Sequence, residues 1–228
     1  MQNLLLSLRI NKILRNIAVF IGLFSAILIF CTPAQSQVTF CYPDCPKDLW
    51  NPLPTSPAFT HLITLPCGEP VIVHYRIRIA CGSFHDVFIE EIEFVNGYGG
   101  GQICGQTMSI AQMLESAMSQ LVYDNPMNYP PTDSTQDTCF PNYRVMVGGC
   151  WTPTFPIGPG DLKDGAKEPP VIDVPAGLLI PCVYIECCLK YFTVCYVNGT
   201  KVVIYDPKRS VPGECDYQYQ PACYPACE

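Results

Sequence analysis

From Val71 to Ile79, apolar Val71, Val73, Tyr75, Ile77 and Ile79 alternate with Ile72, His74, Arg76 and Arg78. A period of two marks a half-buried strand. After a turn at Cys81-Gly82-Ser83, a second strand is expected from about Val87 to Val95, and in an antiparallel hairpin its Glu90, Glu91 and Glu93 would face Arg76 and Arg78 across the ladder. From Ser109 to Tyr123 the period changes: Ile110, Met113, Leu114, Ala117, Met118 and Leu121 recur at helical spacing. Ser109 and Gln112 form a capping-box start, and Asn125-Pro126 a stop. This is the one helix the pattern predicts, with its methionines turned to a sheet-facing core.

Further strands are expected at Tyr143–Val147, across the strand-rich stretch from Leu178 to Val197, and from Lys201 to Tyr205, the last pair joined by a hairpin turn at Asn198-Gly199. The stretch from Val38 to Pro70 reads as an irregular, disulfide-pinned entry, with Trp50 and Phe59 packed on the core. Asn96-Gly97-Tyr98 and the three glycines after it read as a plain flexible turn, because a phosphate-binding loop needs a lysine that does not follow. Two polar, proline-bearing loops are expected, one from Asp124 to Cys139 that bridges two halves and one from Thr152 to Pro175. The fold class is therefore a β-rich α+β domain: a disulfide-stabilised antiparallel sheet of about seven strands, one amphipathic helix over 109–123, and long Pro-rich loops.

Composition places the chain outside the cell. Arg9, Lys12 and Arg15 precede an apolar run from Ile17 to Cys31, and small residues around Ala34-Gln35-Ser36 suit cleavage before Gln37. Residues 1–36 are thus expected to be a removed signal peptide and 37–228 a single domain, secreted, extracellular, cell-surface or periplasmic. The run is shorter than the ~20 apolar residues of a spanning helix, so contact with a membrane is expected only during export. Without the leader, ten Lys or Arg stand against twenty Asp or Glu. Such an acidic chain repels the nucleic-acid backbone, and nucleic acid is not an expected partner.

Fourteen cysteines follow the leader: Cys41, Cys45, Cys67, Cys81, Cys104, Cys139, Cys150, Cys182, Cys187, Cys188, Cys195, Cys215, Cys223 and Cys227. An even number in an oxidising compartment predicts a disulfide framework. Zinc ligation by cysteine is not expected, since the spacing lacks a Cys-x2-Cys pair and no histidine lies near the Cys-Tyr-Pro-x-Cys segments at 41–45 and 223–227. Adjacent Cys187 and Cys188 would point to opposite faces of a strand and bridge in opposite directions.

Candidate chemistry is sparse. Among His61, His74 and His85, the His85-Asp86 pair with Glu90 or Glu91 nearby is the best acid–base candidate, but no hydrolase elbow or metalloprotease motif accompanies it. Asp161, Asp164 and Glu168 lack the order of a calcium loop. No metal and no cofactor are expected. Asn198-Gly199-Thr200 is a glycosylation sequon as well as a hairpin tip. The reading that results is a non-enzymatic structural or surface-assembly protein of matrix, coat or fibre type, whose partner is itself. The alternative is a secreted binding module that presents Tyr98, Tyr129, Tyr143, Trp151 and Phe155 to an extracellular glycan or protein. A hydrolase built on His85 and Asp86 is the remaining option.

Overall fold

The computed structural model describes residues 45, 47–128, 137–155, 177–211, 215 and 223–226, without the side chains of 183–186. The leader, Cys41, Tyr129, Asp161, Asp164, Glu168 and Cys227 lie outside the described residues.

The predicted hairpin is present as β2 (Pro70–Ala80) and β3 (Phe84–Phe94), paired antiparallel. Its ladder contains a bulge: Tyr75 pairs Ile89 but His74 pairs Glu91, which leaves Glu90 as the extra residue. The bulge reconciles two conflicting demands. Ile89 and Ile92, three apart, both reach the core, and Glu90 and Glu91 do not enter it. β1 (Phe59–Thr64) pairs along β2, so the entry segment expected to be irregular contains a strand.

Two helices follow β3. The second, α2 (Ile110–Asp124), begins at Ser109, whose hydroxyl accepts from the Gln112 N–H at 3.2 Å while the Gln112 side chain accepts from the Ser109 N–H at 2.9 Å. It ends on Asn125 in the left-handed conformation. Met113 and Met118 are fully buried. The first, α1 (Gly97–Gly105), corrects the expected flexible turn. Its glycines serve close approach: a Cβ on Gly101 would lie 2.4 Å from the Phe155 ring, and one on Gly177 would lie 2.3 Å from the Gly97 backbone. The Cys67–Cys104 disulfide ties α1 to the β1–β2 turn.

Because the helices carry the chain back across the sheet, β4 (Thr138–Pro153) enters parallel to β3. The other strand pairs are antiparallel, as expected, and this one is the exception. β4 is also far longer than its predicted five-residue core, since register shifts around Gly148 and Cys150 let it continue. β5 (Leu178–Val197), β6 (Thr200–Val211) and the short β7 (Tyr224–Pro225) complete what is, among the described residues, a seven-stranded sheet ordered β1 to β6, with β7 on β4. The β5–β6 turn holds Asn198 at φ 51° and Gly199 at φ 74°, the positive pair that an Asn-Gly hairpin turn requires.

One face of the sheet forms the main core with the helices, through Val73, Ile89, Val145, Phe192 and their neighbours. His61 of β1 and Lys201 of β6 both contact the last turn of α2, so the two edges of the sheet reach the same helix end. The opposite face buries Phe88, Met146 and a set of arginines beneath the entry segment, where Trp50 lies 5.9 Å from Phe88. Trp50 thus packs on the core as expected, while Phe59 touches Tyr75 and stays partly exposed.

Candidate functional site

The disulfides are the most extensive feature. Cys45–Cys81, Cys67–Cys104, Cys139–Cys195, Cys150–Cys215 and Cys182–Cys223 are bridged, with sequence separations from 36 to 65. Closures of this length constrain the unfolded chain by about 4 kcal/mol each in the chain-entropy account. Cys45 and Cys223, one from each Cys-Tyr-Pro-x-Cys segment, bridge to distant partners rather than locally. Cys187 and Cys188 are both disulfide-bonded; Cys188 belongs to the helix-side core and Cys187 does not. The tail is held at Cys215 and Cys223.

His85 and Asp86 do not form a dyad. Neighbours on a strand face opposite ways, and here His85 lies beside Tyr143 on the helix side, 5.8 Å between rings, while Asp86 points to the other face. Burial lowers the pKa of His85, against the opposing pull of Asp86 and the Ser83 backbone. Asp86 is fully buried between two guanidinium groups. Its carboxylate accepts from Arg78 Nε at 2.9 Å and from Arg144 Nε and Nη2 at 2.6 and 2.9 Å. Burial works against the charge on Arg144, but hydrogen bonds and charge from Asp86, joined by Tyr191, outweigh it and raise its pKa. Arg78 stacks on Trp50 at 4.6 Å, and Arg144 on Phe84 at 4.1 Å. A fully buried carboxylate so engaged ties β2, β3 and β4 together.

The glutamates divide differently from the expectation. Arg76 binds Glu90 at 2.5 Å and donates to the carbonyls of Pro52, Leu53 and Ser56, which pins the entry segment down. Arg78 takes Asp86 instead of a glutamate. Glu91 and Glu93 converge on His74, whose Nε2 lies 3.8 Å from Glu91 Oε1 and 3.3 Å from Glu93 Oε2. Burial raises the pKa of Glu91; His74 lowers it, and Glu93 and Glu90 raise it further. This cluster went unread in the sequence because the bulge that sets it is signalled only by the three-residue spacing of Ile89 and Ile92.

A second histidine–carboxylate contact joins the sheet edge to α2. His61 Nε2 lies 2.7 Å from Asp124 Oδ2, and Gln120 donates to Asp124 Oδ1 at 2.8 Å. Lys201 donates to the Tyr123 carbonyl; burial lowers its pKa and nearby Asp124 raises it.

Of the aromatic candidates for a binding surface, Tyr98 is exposed on α1 (46%). Tyr143, Trp151 and Phe155 are buried, which corrects their assignment as surface contacts. Each has a packing reason. Tyr143 donates to the Asn125 side chain that ends α2, Trp151 donates to the Gly148 carbonyl at 2.8 Å, and Phe155 meets Phe94 edge-on over Gly101. Among the described residues, no helix is long and apolar enough to cross a membrane.

No protein-family model, no curated protein and no solved structure matches this chain.

Proposed function

We propose that this chain is an exported structural module that assembles with copies of itself through its sheet edge. The observation that carries this reading is β6. It ends the strand order, and nothing among the described residues pairs with its outer edge. On its face away from the helices, Val202 and Ile204 are 39% and 49% exposed, two residues apart. A long, partly apolar edge strand is a template for pairing with another chain unless it is protected. Protection is uneven along β6: Pro207, Lys208 and Arg209 guard its second half, while Thr200 to Tyr205 carries only Lys201, which is turned to α2. The disulfide framework supports an oxidising, extracellular setting. It also suits a building block, because it holds the sheet together while one edge remains available.

The test is the mass of the oxidised protein by light scattering across a concentration series, with non-reducing peptide mapping of the same material. Concentration-dependent oligomers that dissolve in a Val202→Lys, Ile204→Lys variant with unchanged circular dichroism support the reading. A monomer at every concentration, with all bridges intrachain, overturns it.

A further inference from the structure

We propose that His74, Glu91 and Glu93 form a binding site for a first-row divalent cation of the zinc type, on the sheet face opposite the helices. Three donor atoms, one imidazole nitrogen and two carboxylate oxygens, lie within 4.8 Å of one another. They are contributed by two paired strands: His74 is the direct cross-strand partner of Glu91, and Glu93 follows two residues along the same strand. The strand pairing therefore brings all three to one face of the sheet.

Spacing and charge suit a cation. A tetrahedral ion with ligands at about 2.0–2.1 Å places its donor atoms about 3.3 Å apart. The His74–Glu93 separation is 3.3 Å and the His74–Glu91 separation 3.8 Å. Without an ion, the 3.3 Å contact between His74 and Glu93 serves as a hydrogen bond. Glu90 is neutralised by Arg76, and among the described residues no Lys or Arg pairs with Glu91 or Glu93. Two carboxylates thus share one imidazole, a −2 site that a doubly charged ion balances.

The imidazole selects the metal. Calcium and magnesium prefer sets made wholly of oxygen, whereas nitrogen with carboxylate suits zinc and its neighbours. Three protein donors leave a fourth position, and Glu93, 47% exposed at its side chain, leaves that position open to water or to a group from another molecule. The bulge is essential: without Glu90 as an extra residue, Ile92 and Glu91 would exchange faces relative to Ile89.

Isothermal titration of Zn2+ into the EDTA-treated, fully oxidised protein tests the site. One equivalent per chain is expected, with affinity falling at least tenfold in His74→Ala and in Glu93→Gln, and unchanged in His61→Gln. Should His74→Ala misfold, Co2+ titration of the wild-type chain followed by the NMR signals of its three histidines reads the site directly, and the His74 signals shift first. Absence of binding at millimolar zinc overturns the proposal. So does binding indifferent to His74→Ala and Glu93→Gln, or calcium bound in preference to zinc.

Discussion

Asp86→Asn tests whether the acid beside His85 is a structural pin. The substitution keeps the side-chain shape and removes one negative charge from a position with no solvent exposure, where three hydrogen bonds from Arg78 and Arg144 converge. The asparagine amide accepts at only one of its two terminal atoms, so at least one of these three hydrogen bonds is lost. Two buried cations are left without the anion that separates them. Breaking a buried ion pair from one side costs about 3–5 kcal/mol, because the remaining charge stays desolvated. For a domain of 150–250 residues, where 1 kcal/mol moves the melting temperature about 2–4 °C, the expected drop is about 6–20 °C. Urea and thermal unfolding of the oxidised protein, followed by tryptophan fluorescence, measures it well, since Trp50 stacks directly on Arg78. Glu90→Gln is the comparison: its partner Arg76 keeps three backbone carbonyls, and Glu90 is partly solvated, so the loss should be well below that of Asp86→Asn. An Asp86→Asn protein within 1 kcal/mol of wild type by this assay would refute the burial argument. Unchanged stability with loss of a hydrolytic activity would return His85 and Asp86 to consideration as a catalytic pair.

The two glycines of α1 should respond unequally. In Gly100→Ala the new methyl meets the flexible end of Glu69 at 2.8 Å, whereas in Gly101→Ala it meets the Phe155 ring at 2.4 Å, so the second variant should be the less stable by about 1–3 kcal/mol in the same unfolding assay; equal stability would mean the ring can yield. His85 should make the fold acid-sensitive. Its pKa is lowered by burial, so the unfolded chain takes up the proton first; stability is complete above pH 6.5, falls as pH drops from there through the lowered folded value, and is level below it. Unfolding across this window should show a shallower slope in His85→Gln than in wild type, and parallel curves would remove His85 as the cause. Zinc binding at His74 and concentration-dependent assembly through β6 are the two expectations set out above.

Wherever local pattern and burial agree, the chain could be read directly. The helix over 110–124, with its Ser109–Gln112 cap, and the Asn198-Gly199 turn follow from short-range rules that tertiary contacts only reinforced. The β2–β3 hairpin was legible for the same reason. The failures share a different cause. α1 looked like a flexible loop because its five glycines disfavour helix; its order comes from Cys104, bridged to Cys67, and from Phe155, which packs where a side chain would clash. Tyr143, Trp151 and Phe155 looked like display residues because they lie among glycines and prolines, yet each closes a hydrogen bond or a ring contact in the interior.

By itself the sequence determined the class of material: a cysteine count and low charge that call for covalent bracing, and periodicities that call for strands with a helix against them. Tertiary structure decided which cysteines meet, that β4 runs parallel to β3, and which acids share a face. These are long-range outcomes. A strand pattern states which side of itself is apolar, but its partner, its direction and its register depend on chain crossings and on a bulge that appears only when two strands pair. The single extra residue at Glu90 is the clearest instance. It sends Ile89 and Ile92 to the core together, and it leaves Glu91 and Glu93 opposite His74.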